Sequence, residues 1–188
     1  MSAAVGAVAH AALDLSTGDA VVHFLHGTGQ VVCEGEREHQ GAWVRYVTVR
    51  YWRDDLTVSF PAANASELGL RRPIDSPEVQ RLLETLTLEA GRVDGHFVHR
   101  QRANEEALRS GDPFRVAVTI RDLHAREMRS RRLPPSEAEL KRQAIRLLAG
   151  EIAAALDVSE DEARAQVTAR LPAVVRRGRG RPRTRTAA

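Results

Sequence analysis

Residues 42–52 read AWVRYVTVRYW, and this run decides the fold of the first part of the chain. Side chains alternate across a pleat with a period of two, which sets Trp43, Arg45, Val47, Val49 and Tyr51 on one side. Upstream, VVHFL (21–25) is extended, HGTG (26–29) is a glycine turn needing positive φ, and GQVVCEGE (29–36) resumes the extended pattern. In that segment Cys33 reads as a small core residue. Downstream, LTVSFP (56–61) places Leu56, Val58 and Phe60 on one face and Thr57 and Ser59 on the other. The connections EREHQG (36–41) and RDD (53–55) are short and polar, as hairpin loops are. Residues 18–73 therefore read as four or five antiparallel strands curled into a small barrel or half-barrel.

After Pro73 the period changes to that of helices. Ser76 is placed to cap, Pro77 to open the first helix, and Val79, Leu82, Leu83 and Leu86 form its apolar stripe, ending near Gly91. A second helix spans residues 97–109. Asp112-Pro113 opens a third, carrying Phe114, Ala117, Ile120 and Leu123. Ser136 with Glu139 has capping-box spacing for a fourth, whose apolar face is Leu140, Ala144, Leu147, Leu148, Ile152 and Ala155. Ser159 with Glu162 repeats the device for a fifth, which Pro172 stops. The fold class is α+β: an antiparallel β module, a compact helical domain of about five helices and a disordered basic tail. The expected division is a flexible extension over residues 1–16, the β module over 17–74, the helical domain over 75–171 and the tail over 172–188.

The formal net charge is +3, yet the segment 176–185 alone carries six arginines and no acid, so the rest is net acidic by about three charges. The single cysteine excludes an internal disulfide framework and fits a reducing, cytoplasmic setting. No run approaches the ~20 apolar residues a membrane helix needs. The alanine-rich start has neither the basic nor the leucine-rich region of a signal peptide. Seven histidines invite a search for a metal, but His23 and His26 have no later pair at ligand spacing. HExxH, CxxC and a nucleophile elbow are absent, and HGTG leads into a strand rather than a phosphate-binding helix. The residues point to a protein without catalytic residues, metal, cofactor or small-molecule substrate.

Four segments in order, GDAVVHFLHGTGQVV (18–32), DLTVSFPAANASELGLR (55–71), RANEEALRSGDPFRVAVTIRDLHARE (102–127) and LLAGEIAAAL (147–156), resemble the CarD/CdnL family of bacterial transcription regulators. That resemblance covers about residues 18–156. It implies that the β module is Tudor-like and docks on the β subunit of RNA polymerase. It also implies that the helical domain lies against promoter DNA at the upstream edge of the transcription bubble, where an aromatic side chain wedges into the minor groove. Arg37 and Ser59 match family positions that contact polymerase; the strand from Leu56 and Thr57 onward carries the latter, and a basic residue is common where Ser59 stands. The stretch GHFVHRQRAN (95–104) matches the DNA-contacting segment, with Phe97 where the family usually has tryptophan. His99, Arg100 and Arg102 then have the spacing to line nearby phosphates. On residue type alone, Phe97 reads instead as a core aromatic at a helix entrance, and the arginines as a solvated face.

GRGRPR (178–183) resembles an AT-hook. Gly180 between Arg179 and Arg181 lets the backbone approach the floor of a minor groove, the arginines run outward along it, and Pro182 and Arg183 lead the chain away. Gly178 stands where the motif usually has proline, and a disordered tail binding any polyanion is the alternative. The function expected is a non-enzymatic, nucleoid-associated regulator that binds polymerase and promoter DNA and modulates open-complex stability. The alternative class is an architectural AT-hook protein acting without polymerase.

Overall fold

The computed structural model describes residues 13–52, 55–91 and 96–172. Five strands come first: β1 (Ala20–His23), β2 (Gly27–His39), β3 (Ala42–Tyr51), β4 (Thr57–Pro61) and β5 (Leu70–Arg71). They form one antiparallel sheet in the order β4-β3-β2-β1-β5. The expected barrel is not closed. The two edges, β4 and β5, do not pair, and β5 is only two residues long, too short to carry a ladder across the gap.

One face of the sheet buries Val21, Val31, Val47, Val49, Tyr51 and Phe60. Leu15, fully buried, packs with them, and Arg45 donates to the Leu15 carbonyl at 2.5 Å and to Asp14 at 2.9 Å. The boundary expected at residue 17 thus falls inside packed structure. Alternation along β3 is as read, but the β2–β3 hairpin outruns its core, so Trp43 is 72% exposed although it shares the face of Val47. The EREHQG segment is not a loop: the strands continue to a two-residue turn, Gln40 (φ 54°) and Gly41 (φ 81°). Positive φ at both positions gives the turn whose twist matches a hairpin's.

The ladder shifts register between Val31 and Cys33. Val31 opposes Val49 and Cys33 opposes Thr48, so Val32 is an extra residue, a β-bulge. An unbroken period of two would carry Cys33 inward; the bulge turns it out, and the thiol is exposed. The reading of Cys33 as a core residue is corrected accordingly.

Five helices follow: α1 (Ser76–Thr85), α2 (Phe97–Arg109), α3 (Pro113–Ser130), α4 (Pro135–Leu156) and α5 (Glu160–Arg170). Asp75, not Ser76, caps α1, in a reciprocal box with Glu78. Asp112 caps α3, and Ser159 with Glu162 caps α5 as expected. The Ser136–Glu139 box does not form, because Glu139 pairs with Arg142 and Arg146 further along α4, which begins after Pro134 without a side-chain cap. Leu82, Leu83, Leu86, Ile120, Leu148 and Ile152 form a second buried cluster. No helix among the described residues is long and apolar enough to cross a membrane.

Sheet and helices meet at α4. A Cβ on Gly150 would lie 2.9 Å from Thr28 Oγ1, so only glycine allows this approach without displacing the hydroxyl. Beside it Arg71 of β5 donates through Nη1 and Nη2 to the two oxygens of buried Glu151, each at 2.7 Å. Arg71 also donates to the Gly111 carbonyl before α3, and Glu151 accepts from the Ile74 N–H. This bidentate pair, its remaining oxygen capacity used by a backbone donor, satisfies the conditions under which a buried carboxylate is tolerated.

Candidate functional site

At one end of the helices, the start of α2, the last third of α3 and the start of α4 converge. Phe97, the first residue of α2, stays 43% exposed, and Val98 after it is 66% exposed. His99 is exposed and meets the His96 ring edge-on, with centroids 5.5 Å apart. Arg102 is exposed and forms no ion pair among the described residues. Five residues after Phe97, it lies about 140° around the helix from it, so the ring and this cation address different sides.

Arg100 was expected among the phosphate contacts, and the structure corrects this. It is only 7% exposed, and its Nε and Nη2 donate to Glu137 Oε1 at 3.3 and 3.2 Å. Arg126 of α3 donates to the other oxygen, Glu137 Oε2, at 2.8 Å. Glu137 is fully buried, and two guanidinium groups share it, which is the pairing a buried carboxylate needs. The physical reason for the correction is helical phase: position 100 faces α3 and α4, and a guanidinium there needs an internal acid. The Arg100 Cζ lies 6.0 Å from the Phe97 ring centroid, within cation–π range. The exposed ring therefore rests on a fixed internal cation. Neither Glu137 nor Arg126 was singled out from the sequence, where an ion triad across three helices leaves no local signal.

The second candidate surface is the sheet's outer face. Arg37 lies on β2, exposed, opposite Val44, with its guanidinium 5.2 Å from the Tyr46 ring centroid. Ser59 and Thr57 are exposed on β4, an edge strand with one side open, and Ser59 shares a 2.7 Å hydrogen bond with Thr48. Arg37, Thr57 and Ser59 fall on the same face because the Val32 bulge shifts the phase of β2 before position 37. Arg37 and Ser59 stand four β3 positions apart, about 13 Å. Leu56 does not join them; it is half-buried against the core of the sheet.

Arg179, Gly180, Arg181, Pro182 and Arg183 lie outside the described residues. The chain before them is fixed: His124 Nε2 donates to the Pro172 carbonyl at 2.7 Å, while its Nδ1 accepts from Lys141 at 2.8 Å. The Lys141 ammonium also donates to Glu127. In comparison with known families, the model described as CarD, C-terminal domain, matches residues 65–168, more than half of the chain.

Proposed function

The chain belongs to the CarD family, a family of transcription regulators, and on that premise we propose that it binds the RNA polymerase β subunit and promoter DNA at once. Phe97 enters the minor groove at the upstream bubble edge and modulates open-complex stability, with His99 and Arg102 near the backbone. Arg37, Thr57 and Ser59 on the outer sheet face, with the open edge of β4, meet polymerase by strand addition or edge packing. The protein acts without turnover, in the cytoplasm and on the nucleoid, and the arginine tail adds affinity for A·T-rich minor grooves.

The observation that supports this reading most is a large aromatic ring held out at a helix start and backed by a buried cation. A ring with a merely structural role would be expected inside; an apolar plate at the surface suits insertion at a base step. The test is the lifetime of promoter open complexes formed by purified polymerase with the full chain. Phe97→Ala is expected to abolish the protein's effect on that lifetime while changing duplex affinity less than twofold. A full-length protein that binds duplex DNA but neither retains the polymerase β lobe in a pull-down nor alters open-complex lifetime would favour the architectural alternative.

A further inference from the structure

Among the described residues, most exposed arginines are paired. Arg81, Arg109, Arg115, Arg142, Arg146 and Arg164 each lie within 4.0 Å of a carboxylate. Arg129 in the last turn of α3, and Arg131 and Arg132 just after it, are exposed and form no ion pair among the described residues. Three unneutralised cations within four positions are a cost that pairing has relieved elsewhere.

Their backbone is held. Leu133 is buried, and the Ser130 hydroxyl lies 2.8 Å from the carbonyls of both Arg126 and Arg132, with one proton to donate to either. Arg131 takes the left-handed conformation, φ 62° and ψ −7°, at the C-terminus of α3. Glycine or asparagine is the usual occupant of that position, since a Cβ disfavours it. The site keeps an arginine against its backbone preference.

The segment is connected to the aromatic ring through a chain of contacts. Ser130 is tied to Arg126, Arg126 to Glu137, Glu137 to Arg100, and Arg100 underlies Phe97. The two helices that begin at this end, α2 and α4, start without a side-chain cap, whereas α1, α3 and α5 are capped. The positive ends of both helix dipoles add potential to the same end. Arg129 further lines a cavity together with Leu171 and Pro172, the last described residues of the chain.

We propose that Arg129, Arg131 and Arg132 bind backbone phosphates of the DNA that Phe97 enters, taking the part that buried Arg100 cannot. The inference rests on the DNA reading of Phe97 and names the cations beside it. The protein gains an electrostatic clamp on one side of its aromatic plate, fixed in distance from it by the Glu137 triad.

The experiment is a salt titration of full-chain binding to an A·T-rich duplex, read by fluorescence anisotropy. Each lost phosphate contact lowers the log–log salt slope by about 0.9, so changing Arg129→Gln, Arg131→Gly and Arg132→Gln together is expected to flatten it by more than 2. The single change Arg131→Gly suits the local backbone, is expected to raise the thermal midpoint, and should still flatten the slope by about 0.9. A charge-matched variant altering the paired Arg109, Arg142 and Arg146 to glutamine is expected to leave the slope within about 1 of the native value. A triple-loop variant whose slope falls by less than 1, or no more than that of the charge-matched variant, overturns the proposal while leaving Phe97's role standing. Native protein with no salt-dependent duplex binding overturns both.

Discussion

His23 shows how a residue that suggests chemistry can belong to the scaffold. It is 9% exposed; its Nδ1 accepts from the N–H groups of Leu25 and His26, and its Nε2 donates to the Leu68 carbonyl. One ring thus closes the β1–β2 turn and ties it to the segment before β5. Only the neutral Nε2–H form can do both. Burial, and secondly the neighbouring His26, hold its pKa below the ordinary histidine value. Because the folded state resists the proton, this contribution is intact above the unfolded value near 6.5 and is lost as pH falls below it. Urea midpoints measured at pH 7.5 and 5.5 should therefore fall less for His23→Gln than for the native chain. His23→Ala, which strands two backbone donors, is expected to cost about 2 kcal/mol at pH 7.5. The sequence showed seven histidines and no metal spacing. It could not show that His23 organises a turn, since its partner Leu68 is 45 positions away. Arg100 was misplaced for the same reason: its acid, Glu137, is distant in sequence and neighbouring only in space.

Elements were legible wherever the signal was periodic. The alternation in β3, the stripes of α1, α3 and α4 and the Ser159–Glu162 box all lie where local pattern put them. Cap identity failed by one residue at α1, because Asp75 and Ser76 are both good caps and local spacing does not choose between them. The β2 bulge was invisible, because an extra residue in a strand looks like any other residue. Its effect is nevertheless testable. Since Cys33 already opposes Thr48, deleting Val32 would leave the outer ladder in register and regularise it. The variant is expected to stay within about 1 kcal/mol of the native chain, with Cys33 still reacting promptly with a thiol reagent. A thiol that becomes protected would mean that the strand had slipped and turned its outer face inward.

At the scale of the whole molecule, two buried clusters are joined by few polar groups, and Arg71–Glu151 is central among them. Arg71→Met leaves the Glu151 carboxylate 2% exposed surroundings without its cation, an arrangement expected to cost about 3 kcal/mol. Sheet and helices should then unfold at separate denaturant midpoints when followed by Trp43 fluorescence and by far-ultraviolet circular dichroism. Coincident transitions in the variant would show that packing around Gly150 is sufficient to couple them. The joint was hidden in the sequence, where Arg71 and Glu151 stand 80 positions apart with no motif to link them. Under the proposed function, in which the sheet grips polymerase and the helices a duplex, its consequence is metrical. A hinged linker would let the aromatic plate wander over several base steps, whereas a glycine-tight, ion-locked joint makes the body a gauge of fixed length. On that proposal the base step open to Phe97 is set by where the sheet sits on polymerase, and promoter choice becomes a matter of distance as well as of sequence.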